Sequence, residues 1–444
     1  MQAGPARRIL RNWHVFCIFK GDDTIPVGEP RHDPVREAGG CIKGEHIMKL
    51  GDIYIMGAVR TAIGKYGGSL KNVPAHELAS LVIRESLNRS GVPDSLVDEV
   101  ILGEVRQTTE ASNIARAALL EAGLPESVPG FTVNRLCASA MQAVYSGCQE
   151  IRCGIADVIV AGGTENLSRA PVFLRGSRWG GNRPQLVDSN IEAGSTAAPA
   201  SVYGPGLSMT KTAENVAERF GITREMQDTF AAESQRRAAA ATAAGWFRDE
   251  IVPVTVREKK NEFVFDTDEF IRPGTTVEVL SKLRPLVKPD GTVTAGNACG
   301  LNDGAAALVL MGEKKLKKTG TAPMARIIGI TTAAISPEIM GYGPVPATKK
   351  LLDETGMTLD QIDLVELNEA FASQSVACIR DLGLDPAKVN VSGGAIALGH
   401  PLGCTGARLI VTLLYGLRRT GGKYGLAALC IGGGQAMAAI IERL

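Results

Sequence analysis

The segment VDEVILGEV at residues 97–105 returns, in register, as IDLVELNEA at 362–370, with Asp98 matching Asp363, Val100 matching Val365, Leu102 matching Leu367 and Glu104 matching Glu369. Two further echoes follow in the same order. Val133-Asn134 ahead of Cys137 corresponds to Val389-Asn390 ahead of GGAIALGHPLG, and Ala161-Gly162-Gly163 corresponds to Cys430-Ile431-Gly432-Gly433. A repeat on this scale implies two duplicated halves of one fold, with the ends of equivalent strands opening on a shared crevice.

Each echo lies within an alternation of strands and helices. IYIMGAV from Ile53 reads as a strand, and 75–89 has apolar residues at helical spacing. Residues 97–105 form a second strand and 113–122 a second helix. FTV at 131–133 ends a strand, 138–152 is again helical, and ADVIVAGG at 156–163 is a strand. Such alternation predicts an α/β fold with a mostly parallel sheet covered on both faces. The middle of the chain departs from it. Helices are expected over 209–224 and 224–244, the second rich in Ala, followed by irregular sequence to 289 and a Gly-dense turn over 294–306; alternation resumes at Ala325. The expected organisation is a leader over 1–47, a first half over 48–167 completed by 299–319, an inserted loop domain over 168–298, and a second half over 320–444.

Composition excludes several classes of function. The 444 residues are 45% hydrophobic and 21% charged with a net charge of +1, so no basic field exists to attract nucleic acid. No run of eighteen apolar residues is present, and no membrane insertion is expected. The nine cysteines contain no Cys-x-x-Cys pair, which argues against a zinc site or a disulfide framework and for a reducing interior. Neither GxGxxG after the first strand nor GxxxxGK[ST] occurs, so nucleotide-cofactor readings lack support. The leader is irregular, Arg-rich at its start and free of acidic residues for twenty positions. It is expected to be disordered; a mitochondrial transit peptide and a true start at Met48 are the other two readings. The location is accordingly the cytoplasm, or the mitochondrial matrix if the leader is a transit peptide.

Four positions carry the chemistry. Cys137 falls at a strand-to-helix junction, where unpaired amides and the helix dipole favour thiolate, and its small neighbours Ala138, Ser139 and Ala140 leave room for a ligand. Read alone it is a core cysteine. Asn368 follows a strand and opens a helix; its alternative is an N-cap. His400 sits in a Gly-rich turn. Outside the leader only His76 and His400 exist, and His76 lies in an ordinary amphipathic helix, so any imidazole base is His400. Cys430 ends the strand GLAALC before Gly432, Gly433 and Gly434, whose amides allow close approach of a ligand. If the duplication holds, all four face one crevice.

The motifs VNRLCASAMQA, GGTENLSRAP, MTKTAEN, GNACGLNDGAA, NEAFA, GGAIALGHPLG and CIGGGQ, in this order from about Met48 to Leu444, resemble those of the thiolases, the acetyl-CoA acyltransferases. The resemblance implies two βαβαβαββ halves in layered α/β/α/β/α arrangement, with the inserted loop domain binding CoA. It implies thiolytic cleavage of 3-ketoacyl-CoA, or the reverse Claisen condensation, through an acyl-cysteine. In that scheme Cys137 is the nucleophile, His400 its base, and Cys430 the acid/base at the α-carbon. Asn368 holds a water that binds the enolate oxygen with His400, and the amides of Cys137 and Gly432 form an oxyanion hole. Arg272 is implied on the CoA adenine, and Cys299 and Met209 are implied to bind substrate. No cofactor or metal is implied, CoA and acyl-CoA being substrates, and a homodimer or homotetramer is the expected assembly. Cys299 stands where the family commonly has Ser, Ala140 where it has Gly, and Ser208 and Thr210 flank Met209 where acetoacetyl-CoA thiolases carry His and Gly. These departures bear on acyl-chain length. The rival readings are a carrier-protein-dependent ketosynthase, which pairs one Cys with two His, a non-catalytic acyl-CoA or lipid-binding protein of the same fold, and a Cys-His hydrolase.

Overall fold

Nine strands with their helices position everything described below, in a computed structural model that describes residues 51–444 apart from 179, 181, 182, 259 and 260. The three readings of the leader lie outside the described residues. The strands are β1 (Ile53–Thr61), β2 (Glu99–Gly103), β3 (Gly130–Val133), β4 (Val158–Asn166), β5 (Asn302–Gly312), β6 (Ala325–Ala334), β7 (Leu364–Leu367), β8 (Tyr424–Ile431) and β9 (Gln435–Arg443). They hydrogen-bond in the order β7-β8-β9-β6-β1-β5-β4-β2-β3. In the first half β2 runs parallel to β3 and β4, while β5 is antiparallel to β4 and β1. The second half repeats this scheme: β7 is parallel to β8 and to a bridge at Val389, and β9 is antiparallel to β8 and β6. The halves meet where Ile53, Tyr54 and Ile55 of β1 pair with Ile327, Arg326 and Ala325 of β6.

The duplication extends to side chains. Asp98 Oδ2 accepts the amides of Asp157 and Val158 at 2.7 and 2.9 Å, and its repeat partner Asp363 accepts those of Lys423 and Tyr424 at 2.6 and 2.9 Å. In each half this carboxylate pins the start of the long central strand to its parallel neighbour. The expected strand over 156–163 runs from Val158 to Asn166, extended because β5 pairs with it as far as Asp303.

The helices are α1 (Ala75–Ser90), α2 (Ile114–Glu121), α3 (Ser139–Arg152), α4 (Met209–Phe220), α5 (Arg224–Ala243), α6 (Pro344–Thr355), α7 (Ala372–Leu382) and α8 (Leu402–Thr420), with shorter ones between. Strand periodicity sorts them into layers. Ala305, Ala307 and Val309 of β5 face outward onto α1 and α2, whereas Ala306, Leu308 and Leu310 face α3 and α8. On β8, Ala427, Leu429 and Ile431 face the same central helices, and Leu426 and Ala428 face α6 and α7. The result is α/β/α/β/α. The central layer is sealed on both sides; each fully buried Leu, Ile or Val there contributes roughly 1.5–3 kcal/mol, and α8 is buried all round over 403–417, its Thr405, Arg408 and Thr412 included.

The middle of the chain is less separate than its irregular sequence suggests. Ile251 and Val252 pair in parallel with Arg60 and Thr61 of β1, and Val254, Val256 and Phe265 join the core under α1. Arg60, fully buried, holds Glu250 at 2.6 Å and Asp268 at 2.8 and 2.9 Å. Helix α5 buries Gln227, Ala231, Ser234, Gln235, Ala238 and Ala241, a stripe of small and polar residues that lets other backbone approach closely.

Candidate active site

Cys137 sits on a short turn between β3 and α3, held in a conformation that residues other than Gly rarely adopt. Leu136 has φ +48°, a left-handed backbone costing of order 1–3 kcal/mol. The turn is braced from both sides: Asn134 Oδ1 accepts the Leu136 amide at 2.9 Å, and Ser139 Oγ accepts the Arg135 amide at 2.9 Å while donating to the Leu136 carbonyl at 2.6 Å. Cys137 is thereby left half-buried while Ala138, Ser139 and Ala140 are fully buried. Their small side chains serve packing, and the expectation that they make room for a ligand is corrected. A Cβ on Gly103 would meet the Ala140 amide nitrogen at 2.5 Å, so strand β2 approaches the helix start backbone to backbone.

The amides of Gly432 and of Cys137 itself lie near enough to the Cys137 sulfur to favour its thiolate. Gly432 follows β8, which carries Cys430 and ends at Ile431, so this approach joins the two halves. A Cβ on Gly432 would lie 3.2 Å from Leu136 Cδ1 and 3.7 Å from Met209 Cε, which places Met209, the first residue of α4, on the same spot. Ser208 caps that helix, accepting the Lys211 amide at 3.1 Å.

Burial pushes the Cys137 thiol up; the Gly432 and Cys137 amides and the Arg106 charge act in the opposite direction without overcoming it. This corrects the expectation of a depressed thiol pKa: enclosure outweighs the helix start. His400 is pushed down to about 3 by burial and by the Arg408 charge. The resting pair is therefore a neutral thiol and a neutral imidazole.

His400 is fixed by two contacts. Its amide donates to Asn302 Oδ1 at 3.0 Å, and Asn302 Nδ2 donates to the Gly64 carbonyl. Its Nδ1 lies 2.7 Å from Thr405 Oγ1, whose proton goes to the Pro401 carbonyl at 2.9 Å. Thr405 thus accepts there, Nδ1 carries the ring proton, and the lone pair falls on Nε2. Nε2 is buried with no protein partner, as are both Oδ1 and Nδ2 of Asn368. Buried polar atoms in native proteins are almost always paired, so these three are open to polar atoms of a ligand or to water.

The loop carrying His400 rests on Glu165 at the end of β4, whose carboxylate accepts the amides of Gly403, Val105 and Arg106 at 2.8 to 3.1 Å. Asn368 and Cys299 are joined to Cys430 through the backbone. The Asn368 amide donates to the Ala428 carbonyl, the Cys299 amide to the Ala370 carbonyl at 3.0 Å, and Ala298 bridges Phe371. Cys430, Ala298, Phe371, Met340 and Met209 share one apolar cluster, and the sulfurs of Cys137, Cys299 and Cys430 feel one another electrostatically. Burial pushes Cys299 up to about 12, with the Cys137 charge adding to it, and raises Cys430 well above its ordinary value.

Cys137, Cys430, Gly432, Cys299 and Met209 are thus neighbours, Asn368 is tied to the strand carrying Cys430, His400 is held on the loop that rests on Glu165, and Arg272 lies apart. Its exposed guanidinium stacks 5.2 Å from the Phe270 ring, in a surface cleft lined by Lys65, Tyr66, Glu269 and Leu301, the last being two residues from Cys299. His76 pairs with Glu121 at 2.8 Å on the far side of the first sheet. Sequence reasoning missed Thr405, Asn302, Glu165 and Gln374, whose Oε1 accepts from Cys430 Sγ at 3.1 Å. Glu165 had a readable signal, the one charged residue of its strand, near the strand's end.

Known proteins place this arrangement. The family model for the thiolase N-terminal domain matches residues 53–314, and that for the thiolase C-terminal domain matches 321–443. The acetyl-CoA acetyltransferase of Pseudomonas aeruginosa is 52% identical over 395 residues, covering 88% of this chain and 99% of its own length. The beta-ketoadipyl-CoA thiolase of the same organism is 48% identical, covering 88% and 99%. Crystal structures of the Bacillus anthracis acetyl-CoA acetyltransferase (TM-score 0.86, 45% identity, 89% of this chain and 99% of that one) and of human mitochondrial 3-ketoacyl-CoA thiolase in complex with CoA (TM-score 0.84, 44% identity, 89% and 98%) superpose on it. The chain is an acyl-transferring enzyme and belongs to the thiolase family.

Proposed function

We propose that this enzyme cleaves a 3-ketoacyl-CoA with CoA, or condenses two acyl-CoA molecules in reverse, with Cys137 as nucleophile, His400 as its base, Cys430 as acid/base at the α-carbon and Asn368 at the enolate oxygen. The observation that carries this reading is the meeting of the two halves at one sulfur. Gly432, two residues beyond Cys430, stands against the Cys137 turn at Leu136, and Thr405 leaves Nε2 of His400, the proposed base, free. Because both resting groups are neutral, the Cys137 proton passes to His400 as sulfur attacks the 3-keto carbon. The carbon–carbon bond then breaks, its electron pair forms the enolate of the departing acyl-CoA, and Cys430 delivers a proton to that carbon. The thiol proton of incoming CoA restores Cys430 as CoA sulfur takes the acyl group and Cys137 recovers its proton from His400. Amides of Cys137 and Gly432 lie over the acylated sulfur, and each such donor is worth roughly 3–4 kcal/mol in a transition state.

Arg272 with Lys65 in the neighbouring cleft is the proposed contact for the nucleotide end of CoA, and Cys299 and Met209 for its arm. The loop domain over 168–298 is proposed to carry that binding, between halves over 48–167 with 299–319 and over 320–444. CoA and acyl-CoA act as substrates with no added cofactor. Among the described residues no helix is long and apolar enough to cross a membrane; the proposed location is the cytoplasm, or the mitochondrial matrix if the first residues are a transit peptide. A homodimer or homotetramer is the proposed assembly.

The test separates the two cysteines. With acetyl-CoA, intact-protein mass spectrometry should show no acetyl adduct in Cys137→Ala and a full adduct in Cys430→Ala, while the latter loses exchange of solvent deuterium into acetyl-CoA. An adduct on Cys430, or exchange that survives its removal, would overturn the assignment.

A further inference from the structure

The two active-site sulfurs have unlike surroundings. The amides near Cys137 Sγ favour a thiolate, whereas Cys430 Sγ donates to a carbonyl oxygen, Gln374 Oε1, at 3.1 Å. The amide of Gln374 is oriented by its own neighbours. Its Nε2 donates to Ser375 Oγ at 2.8 Å, and Ser375 spends its proton on the Phe371 carbonyl at 3.1 Å, so Oγ accepts and Oε1 is turned towards the sulfur. Gln374, Ser375 and Cys430 are all buried from bulk solvent. An oxygen acceptor bonds a thiol and repels a thiolate. The other titratable groups facing Cys430 are the thiols of Cys137, Cys378 and Cys299, each raised by burial and neutral at rest, so none offers a positive charge to hold a Cys430 thiolate.

We infer that Gln374 is a positioning residue that holds the proton on Cys430, so that the enzyme rests with its carbon acid loaded. This extends the roles proposed above for the two cysteines. In the cleavage direction the S–H turns from Gln374 to the enolate carbon, a C–H bond forms, and the sulfur becomes a thiolate. That thiolate, destabilised by the carbonyl oxygen it now faces, is a strong base and takes the proton of the incoming CoA thiol, which returns the S–H to Gln374. In condensation the same repulsion sharpens Cys430 as the base for a weakly acidic α-hydrogen.

The experiment reads the proton affinity of Cys430 independently of turnover. In the full chain carrying Cys137→Ala, the rate of carbamidomethylation of Cys430 by iodoacetamide is followed by peptide mass spectrometry between pH 7.5 and 9.5. Gln374→Met removes the acceptor at similar volume and should speed alkylation at fixed pH by roughly three- to tenfold, the scale of one neutral hydrogen bond. Gln374→Glu places a carboxylate against the sulfur and should slow it. General loosening of the site would speed both. Ser375→Ala, which frees the amide to turn Nε2 towards the sulfur, should also speed alkylation and serves if the Met variant does not fold. Equal rates, or shifts of the same sign in the Met and Glu variants, overturn the inference. Survival of deuterium exchange in Cys430→Ala would instead overturn the proposed role of Cys430 and leave the alkylation result standing.

Discussion

His400 shows how much of a catalytic group is set by a single neighbour. With Nδ1 bonded to Thr405 and the Thr405 proton committed to Pro401, the ring has one available tautomer, and it presents a lone pair at Nε2. Thr405→Val keeps the shape and removes the acceptor, so the ring is free to tautomerise and tilt. A loss of about ten- to a hundredfold in kcat/KM is expected, corresponding to roughly 1.4–2.7 kcal/mol, with little change in thermal unfolding; Thr405→Ser should keep most of the activity. Steady-state thiolysis of acetoacetyl-CoA measures both. Leu136 is a second case at this scale. Its left-handed backbone puts Cys137 where the Gly432 amide lies near its sulfur, and the strain is sustained by Asn134 and Ser139.

At the scale of elements, the site is an arrangement of helix starts and strand ends brought unusually close by glycine. Gly403, in the first turn of α8, donates its amide to Glu165 at 2.8 Å, and a Cβ there would stand 2.3 Å from the Thr164 carbonyl oxygen. Backbone atoms cannot move aside as a flexible side chain can. Gly403→Ala is therefore expected to push α8 off β4, costing about 1–3 kcal/mol in a urea denaturation midpoint. It should also lower kcat, because His400 moves with the helix. Gly393 obeys the same constraint against α5: a Cβ would meet Ala238 Cβ and the Ser234 carbonyl at 2.7 Å. The small and polar stripe of α5 is thereby explained. Ser234 donates to Glu369 at 2.6 Å and Gln235 to the Ile396 carbonyl, so this helix supports both the Asn368 segment and the His400 loop.

At the scale of the whole molecule, the halves enclose carboxyl groups as well as catalytic ones. Burial pushes Glu104 up to about 8, with the Glu165 charge adding to it, and pushes Glu165 and Glu366 up to about 7 from an ordinary 4.5. A folded-state pKa above the unfolded one means that the native protein binds more protons through the interval. The stabilisation is complete below about 4.5 and is lost as pH rises through 7 to 8. His400, held near 3, works in reverse and costs stability as pH falls below its ordinary 6.5. The melting temperature should accordingly decline between pH 6 and pH 9. Glu104→Gln, which cannot ionise, should show a smaller decline, measured by differential scanning calorimetry at several pH values. An equal decline in the variant would show that Glu104 does not titrate in this range.

The sequence by itself determined the alternation of strands and helices, the duplication, and the side chains with chemistry to offer, because burial on both faces writes continuous apolar runs and a repeated half writes them twice. Asp98 and Asp363 were matched as letters and prove to perform the same task, each pinning a strand start. Cys137, Asn368, His400 and Cys430 stood out because each lies where a regular element ends. Tertiary structure alone decided what each of these groups faces. Gln374 and Cys430, Glu165 and Gly403, and Asn302 and His400 are 56, 238 and 98 residues apart. No local period records such distances. The proton on Cys137 was misjudged for the same reason: its place before a helix is legible in the chain, whereas the enclosure that outweighs the helix exists only once both halves have closed around it.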